Sequence, residues 1–125
     1  MKKMFQISSL ILVFLFSMFI YAHSTEASSK KSKTYVLAHS AWLGSWQWQR
    51  VAKSLEATRH TVITPDLAGH GSDKTPASDI TIETYVNQLI AILDSLQEKV
   101  VLVGHSFNGI TISRVAELCP KKMID

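Results

Sequence analysis

Ser106 has the best-defined chemical setting in the chain. It stands in Val100-Val101-Leu102-Val103-Gly104-His105-Ser106-Phe107-Asn108-Gly109, where an apolar run ends in a glycine and a helical pattern follows the serine. That is the layout of a nucleophile elbow, G-x-S-x-G with a strand before it and a helix after. A strand buried on both faces reads as continuous Val/Leu. A turn this tight holds the serine backbone in a strained region and needs small neighbours. The hydroxyl then stands clear of the sheet at a helix N-terminus, where backbone N–H groups and the helix dipole favour a developing oxyanion. The fifth position departs from the pattern: it is Asn108, and the glycine comes one residue later as Gly109. Asparagine tolerates unusual backbone angles better than other non-glycine residues, so the elbow is expected to survive. The competing reading is an ordinary buried strand followed by a serine at a helix N-cap.

The elements that must position Ser106 read as alternating strands and helices. Thr34 to Ala38 is a short apolar strand running into a loop of small residues, His39-Ser40-Ala41-Trp42-Leu43-Gly44-Ser45. A helix is expected from Trp46 to about Ala57, with Trp46, Val51 and Leu55 on its inner face. His60 to Thr64 is a second strand, ended by Pro65. Asp66 to Asp79 is a loop rich in Gly, Ser, Asp and Pro. The clearest helix spans about Thr81 to Leu96, with an apolar stripe of Ile82, Tyr85, Val86, Leu89, Leu93 and Leu96. Lys99 to Val103 is the third strand. The last helix runs from Phe107 to about Leu118, with Ile110 and Val115 inward, and stops before Pro120. Three strand–helix units predict an α/β fold, a parallel sheet with flanking helices and right-handed crossovers. Sites in such sheets lie at the carboxyl ends of the strands. His39, the loop at Asp66 and Ser106 all fall there.

Composition limits the alternatives. The 125 residues allow one domain at most. The net charge of +3 includes Lys2 and Lys3; from Thr25 onward eleven Lys+Arg face ten Asp+Glu, so no nucleic-acid partner is indicated. The single cysteine, Cys119, excludes an internal disulfide. No Cys/His spacing resembles a zinc site, and no metal or cofactor is expected. Lys2 and Lys3 precede an apolar stretch from Ile7 to Ala22, followed by the small-x-small site Ala22-His23-Ser24. Residues 1–24 therefore read as an export signal, with an uncleaved membrane anchor as the alternative. Residues 25–33 read as a flexible Ser/Lys-rich leader. The domain is expected over 34–125, in a periplasm or outside the cell, with no membrane contact once the signal is removed. Nothing indicates an oligomeric state.

Three stretches together resemble the α/β-hydrolase family, and within it the plant methylesterases, the hydroxynitrile lyases and their bacterial relatives. They are Val36-Leu37-Ala38-His39-Ser40-Ala41-Trp42 with Gly44-Ser45-Trp46-Gln47-Trp48, then Pro65-Asp66-Leu67-Ala68-Gly69-His70-Gly71-Ser72, then Gly104 to Gly109. The resemblance covers roughly Thr34 to Asp125, the N-terminal part of that fold. It implies Ser106 as nucleophile and the backbone N–H groups of Phe107 and Ala41 as oxyanion hole. It implies a small-molecule ester or amide substrate. It makes His39 a loop-fixing residue and His70 a structural one. Strand alternation points His105 away from Ser106. The tryptophans read as packing residues, with Trp42 a candidate pocket wall. Ser40 replaces the glycine usual in such hydrolases. The lyases resemble this chain in placing a hydroxyl residue there, so Ser40 is either a substrate contact or a tolerated small replacement.

In this fold the acid and the histidine follow the serine. Nineteen residues follow Ser106, and none is a histidine. A serine without an adjacent base is a weak nucleophile. The expectation is a fragment of an exported serine hydrolase, inactive alone, with the acid and histidine absent. Two alternatives stay open: a hydroxynitrile-lyase-like enzyme, and a non-catalytic, truncated or receptor-like product on the same fold.

Overall fold

The computed structural model describes residues 31–124. The expected export signal (1–24) and residues 25–30 of the expected leader lie outside the described residues. Three parallel strands, β1 (Thr34–Ala38), β2 (Thr61–Ile63) and β3 (Val100–Gly104), form a sheet in the order β2-β1-β3. Helix α1 (Gln49–Ala57) joins β1 to β2, α2 (Ile82–Ser95) joins β2 to β3, and α3 (Asn108–Leu118) follows β3. Thr34 pairs with both Thr61 and Val100, and Ala38 with Gly104. The chain travels one way from β1 to β2 and the other way from β2 to β3. With right-handed crossovers this puts α1 and α2 on opposite faces of the sheet. Helix α3 packs beside α2. The architecture is the expected α/β arrangement, a parallel sheet of three strands with three flanking helices.

Central β1 explains most of the core. Val36 and Ala38 point to the α2–α3 face and pack with Leu67, Val86, Leu89, Leu93, Val100 and Val115. Leu37 is also buried but points the other way, as strand alternation requires. Helix α2 begins with a capping box: the Thr81 hydroxyl accepts from Thr84 N–H, and the Thr84 hydroxyl accepts from Thr81 N–H. At its other end Lys122 Nζ donates to the Leu93 and Leu96 carbonyls at 2.8 Å, serving two carbonyls the helix leaves open. Beyond β3, Met123 forms a parallel bridge with Val100, and Ile124 N–H donates to the Val100 carbonyl at 2.9 Å.

The second face is thinner than the sequence pattern predicts. The stretch expected as one helix from Trp46 opens as a 3-10 turn (Ser45–Trp48) before α1 begins. No residue of α1 is fully buried. Trp46 and Val51, expected inward, are 60% and 44% exposed. Helix α1 lies on β2, an edge strand of three residues. Ile82 and Ile110, also expected inward, are exposed at the starts of α2 and α3. Ser32 and Lys33, expected at the end of the leader, are already tied to the β2 side. Ser32 Oγ donates to the Arg59 carbonyl (2.7 Å), and Thr61 N–H donates to the Lys33 carbonyl (3.0 Å).

Candidate active site

The turn at Ser106 is built from both of its flanks. β3 ends at Gly104, where an added Cβ would lie 2.5 Å from the Asn108 carbonyl oxygen and 3.0 Å from Ile112 Cγ2. Only glycine lets the strand and helix α3 approach this closely. Ser106 then takes φ +55°, the left-handed region that L-residues avoid. Gly109 N–H donates to the Ser106 carbonyl at 2.9 Å, so the helix starts immediately. Asn108 fits the departed position because its side chain has an anchor. It is 2% exposed, and its Nδ2 donates to the His39 carbonyl at 2.5 Å. Gly109 has nothing within 4 Å of where a Cβ would stand, so that second glycine serves no close approach.

The loop after β1 supplies the opposite wall. His39 is fully buried. Leu67 N–H donates to its Nε2 (3.1 Å), so the proton sits on Nδ1 and is donated to the Ser40 carbonyl (2.9 Å). Burial pushes its pKa below the ordinary histidine value, keeping the ring neutral. This is the loop-fixing role the resemblance implies. Leu43 N–H donates to the Ser40 carbonyl (3.3 Å), closing a turn in which Trp42 holds φ +68°. A positive φ at the third residue marks a type II turn, a place that normally takes glycine.

Asp66 fixes the loop after β2. Its Oδ1 accepts from Ser45 N–H (2.6 Å), and its Oδ2 accepts from the Ser72 N–H and hydroxyl (2.9 Å each). These hydrogen bonds to the charged form hold the carboxyl far below the usual range. Gly71, at φ +56°, leaves the space the carboxylate occupies. The Gln88 amide ties the same loop to α2, accepting from Ala68 N–H (2.9 Å) and donating to the Asp66 carbonyl (3.1 Å).

These loops enclose an open cavity of about 720 Å³ lined by Ala41, Trp42, His70, Tyr85, Phe107 and Asn108 together with Ile80, Thr81 and Ile82. Two expected oxyanion donors, Ala41 and Phe107, thus meet at one cavity. Neither backbone N–H donates to a protein acceptor among the described residues. Ser106 is exposed beside Phe107 at the rim. Trp42 lines the cavity and is 95% exposed. Ser40 does not line it: its hydroxyl donates to the Ala41 carbonyl at 3.3 Å. Among the described residues no cluster of three His, Cys, Asp or Glu could hold a metal ion.

Two lining residues carry more than the sequence indicated. His70 donates from Nδ1 to the Ala68 carbonyl (2.9 Å) and stands between His39 and Tyr85, with ring centres 4.9 and 5.9 Å away. Tyr85 in turn meets Phe107 edge-on at 6.2 Å. The four rings form one wall from the β1 loop to the elbow. Tyr85 reads in the sequence only as part of the helix stripe. Its place in the first turn of α2, at the sheet's carboxyl end, is the signal that could have marked it.

The model of the alpha/beta hydrolase family matches residues 35–124. The chain belongs to the alpha/beta hydrolase family. Among curated proteins it is 44% identical to Methylesterase 8 of Arabidopsis thaliana over 71% of this chain and 34% of the relative. It is 42% identical to Methylesterase 1 of the same plant over 78% of this chain and 38% of the relative. Among solved structures, polyneuridine aldehyde esterase superposes with TM-score 0.70 at 34% identity, covering 74% of this chain and 38% of that one. An extracellular alpha/beta-hydrolase from a Paenibacillus species superposes with TM-score 0.66 at 34% identity, covering 73% and 37%. The chain thus spans little more than a third of the length of the family members it matches.

Proposed function

We propose that this chain carries the nucleophile-bearing part of an exported serine hydrolase for small carboxylic esters. The observation that carries the reading is Ser106 at φ +55° between β3 and α3, beside a cavity that the unengaged donors Ala41 and Phe107 line. In this mechanism Ser106 Oγ attacks the ester carbonyl carbon while a base takes its proton. The Phe107 and Ala41 N–H groups hold the tetrahedral oxyanion. Collapse expels the alcohol and leaves an acyl-enzyme, which water hydrolyses. The acid and the base are not assigned to any residue of this chain. The names of the relatives, methylesterases and an esterase, support ester substrates. The export part rests on residues 1–24 of the sequence, and one structural neighbour is itself described as extracellular. The lyase alternative needs Ser40 to reach substrate, and its hydroxyl is engaged within its own loop.

The test is covalent labelling of the protein as its host produces it. A fluorophosphonate probe followed by peptide mapping is expected to place the adduct on Ser106. Host protein that turns over small esters yet carries no adduct at Ser106 would remove the assignment. Recovery of the mature N-terminus at Thr25 from the extracellular fraction checks export separately.

A further inference from the structure

We propose that Gln47 is a positioning residue that clamps the loop after β1 to the elbow, working through one tautomer of His105. The Ser40 backbone N–H lies 2.8 Å from a terminal atom of the Gln47 side chain. A backbone N–H can only donate, so that atom is the amide oxygen. This settles which way the amide points. Its nitrogen is then the atom 2.6 Å from His105 Nδ1. An amide nitrogen can only donate, so Nδ1 must accept and the His105 proton must sit on Nε2. The Trp48 ring stands edge-on to the same imidazole at 6.3 Å. One primary amide therefore joins residue 40, next to Ala41, to residue 105, next to Ser106.

The bridge spans the two segments that carry the expected oxyanion donors. Ala41 follows Ser40, and Phe107 stands two residues beyond His105. The Asn108–His39 hydrogen bond joins the same two segments in the buried layer. His105 N–H also donates to the Ala38 carbonyl (3.1 Å) where β1 ends. Gln47 adds a further tie on the outer side, where Gln47 is half-buried and His105 exposed. Ties at separate points fix an angle as well as a distance, and preorganised donors need both. The clamp itself consists of hydrogen bonds; its consequence for catalysis rests on the hydrolase reading.

Two substitutions in the full chain separate the clamp from mere packing. In Gln47→Glu one carboxylate oxygen still accepts from Ser40 N–H, while the other can only accept from His105. The His105 proton should therefore move to Nδ1. In Gln47→Leu both bonds are lost. Imidazole ¹⁵N chemical shifts of His105 report the tautomer directly. The wild type is expected as Nε2–H, and Gln47→Glu as protonated at Nδ1. Ser40 amide exchange is expected to accelerate about tenfold in Gln47→Leu, the scale of one lost hydrogen bond, and to stay near wild type in Gln47→Glu. A wild-type ring protonated at Nδ1, or a tautomer indifferent to Gln47→Glu, overturns the clamp. So does Ser40 exchange unchanged in Gln47→Leu. These readouts need no catalysis. Absence of any adduct on Ser106 would instead sink the hydrolase reading and leave the clamp standing on its own hydrogen bonds.

Discussion

Three non-glycine residues among the described ones, Trp42, Arg59 and Ser106, take the left-handed region, and the two that flank helices do so for different reasons. Arg59 sits at φ +66° after α1, and Ser106 at φ +55° before α3. At Arg59 the conformation closes a helix. Arg59 N–H donates to the Glu56 carbonyl (2.9 Å) and His60 N–H to the Leu55 carbonyl (3.1 Å), the paired bonds of a Schellman motif. The arginine side chain has no part in those bonds, and glycine would make them at lower backbone cost. At Ser106 the turn also satisfies its neighbours, yet it leaves Phe107 N–H without an acceptor among the described residues and the serine exposed. There the side chain matters and the strain is the condition for presenting it. Strain alone does not mark a site. Strain combined with unengaged donors at the carboxyl end of the sheet does.

The largest effect should come from removing the side chain on the strained side. Ser106→Ala is expected to abolish fluorophosphonate labelling and to lower ester turnover of the host-produced protein by at least about 10³-fold. Its stability should change little, because the hydroxyl is exposed. Labelling that persists in Ser106→Ala would move the nucleophile elsewhere.

Next comes the glycine that permits the elbow. Gly104→Ala sets a methyl against the Asn108 carbonyl and Ile112, and backbone cannot swing aside as a long side chain would. Overpacking of this kind costs about 1–3 kcal/mol, visible as a lower urea midpoint. The same substitution at Gly109 meets open space inside α3 and should raise the midpoint, by about 0.5–1 kcal/mol in stability. If both behave alike, strand and helix do not approach at Gly104 as described.

How legible was this in the sequence? The elbow's strand–turn–helix setting, the alternation of strands and helices along the chain and the α/β class depend on local patterns: a Val/Leu run, a glycine, an apolar helix stripe. Those were readable. The exposure of Trp46, Val51 and Ile110 was not. A helical stripe says which residues share a face, but whether anything covers that face is decided by distant chain. Asn108 shows the same limit at the site. Its type explained tolerance at the elbow, while its anchor, the His39 carbonyl, lies 69 residues away. Gln47 sits between two tryptophans and carries no local signal; its partner His105 is 58 residues along the chain.

Acidification probes the loops that hold the two sides of the site, in separate windows. His39 is buried neutral, with its folded pKa below the unfolded value near 6.5. The unfolded chain then binds more protons, so stability is full above about pH 6.5 and declines as pH falls toward the folded pKa. Asp66 has the same sign in a lower window: its contribution is present above about pH 4 and is lost below it. Urea midpoints at pH 7.5 and 5.5 are expected to differ in the wild type, and to differ less in His39→Gln. An unchanged difference would mean that His39 is not the group titrating.

The smallest expected effect falls on the other turn. Arg59→Gly should stabilise the chain by up to about 1 kcal/mol, because glycine adopts the left-handed cap without the Cβ penalty. The unfolded chain gains entropy from the same change, which offsets part of that. Ser106→Gly makes the matched substitution at the elbow. It should also relieve strain while eliminating labelling, so stability would rise at both turns and function would be lost at one. If Arg59→Gly instead lowers stability, the arginine side chain contributes something that its backbone bonds do not reveal, and the two turns are less different than their hydrogen bonds suggest. Urea midpoints of the two glycine variants, measured with labelling of each, decide between those outcomes.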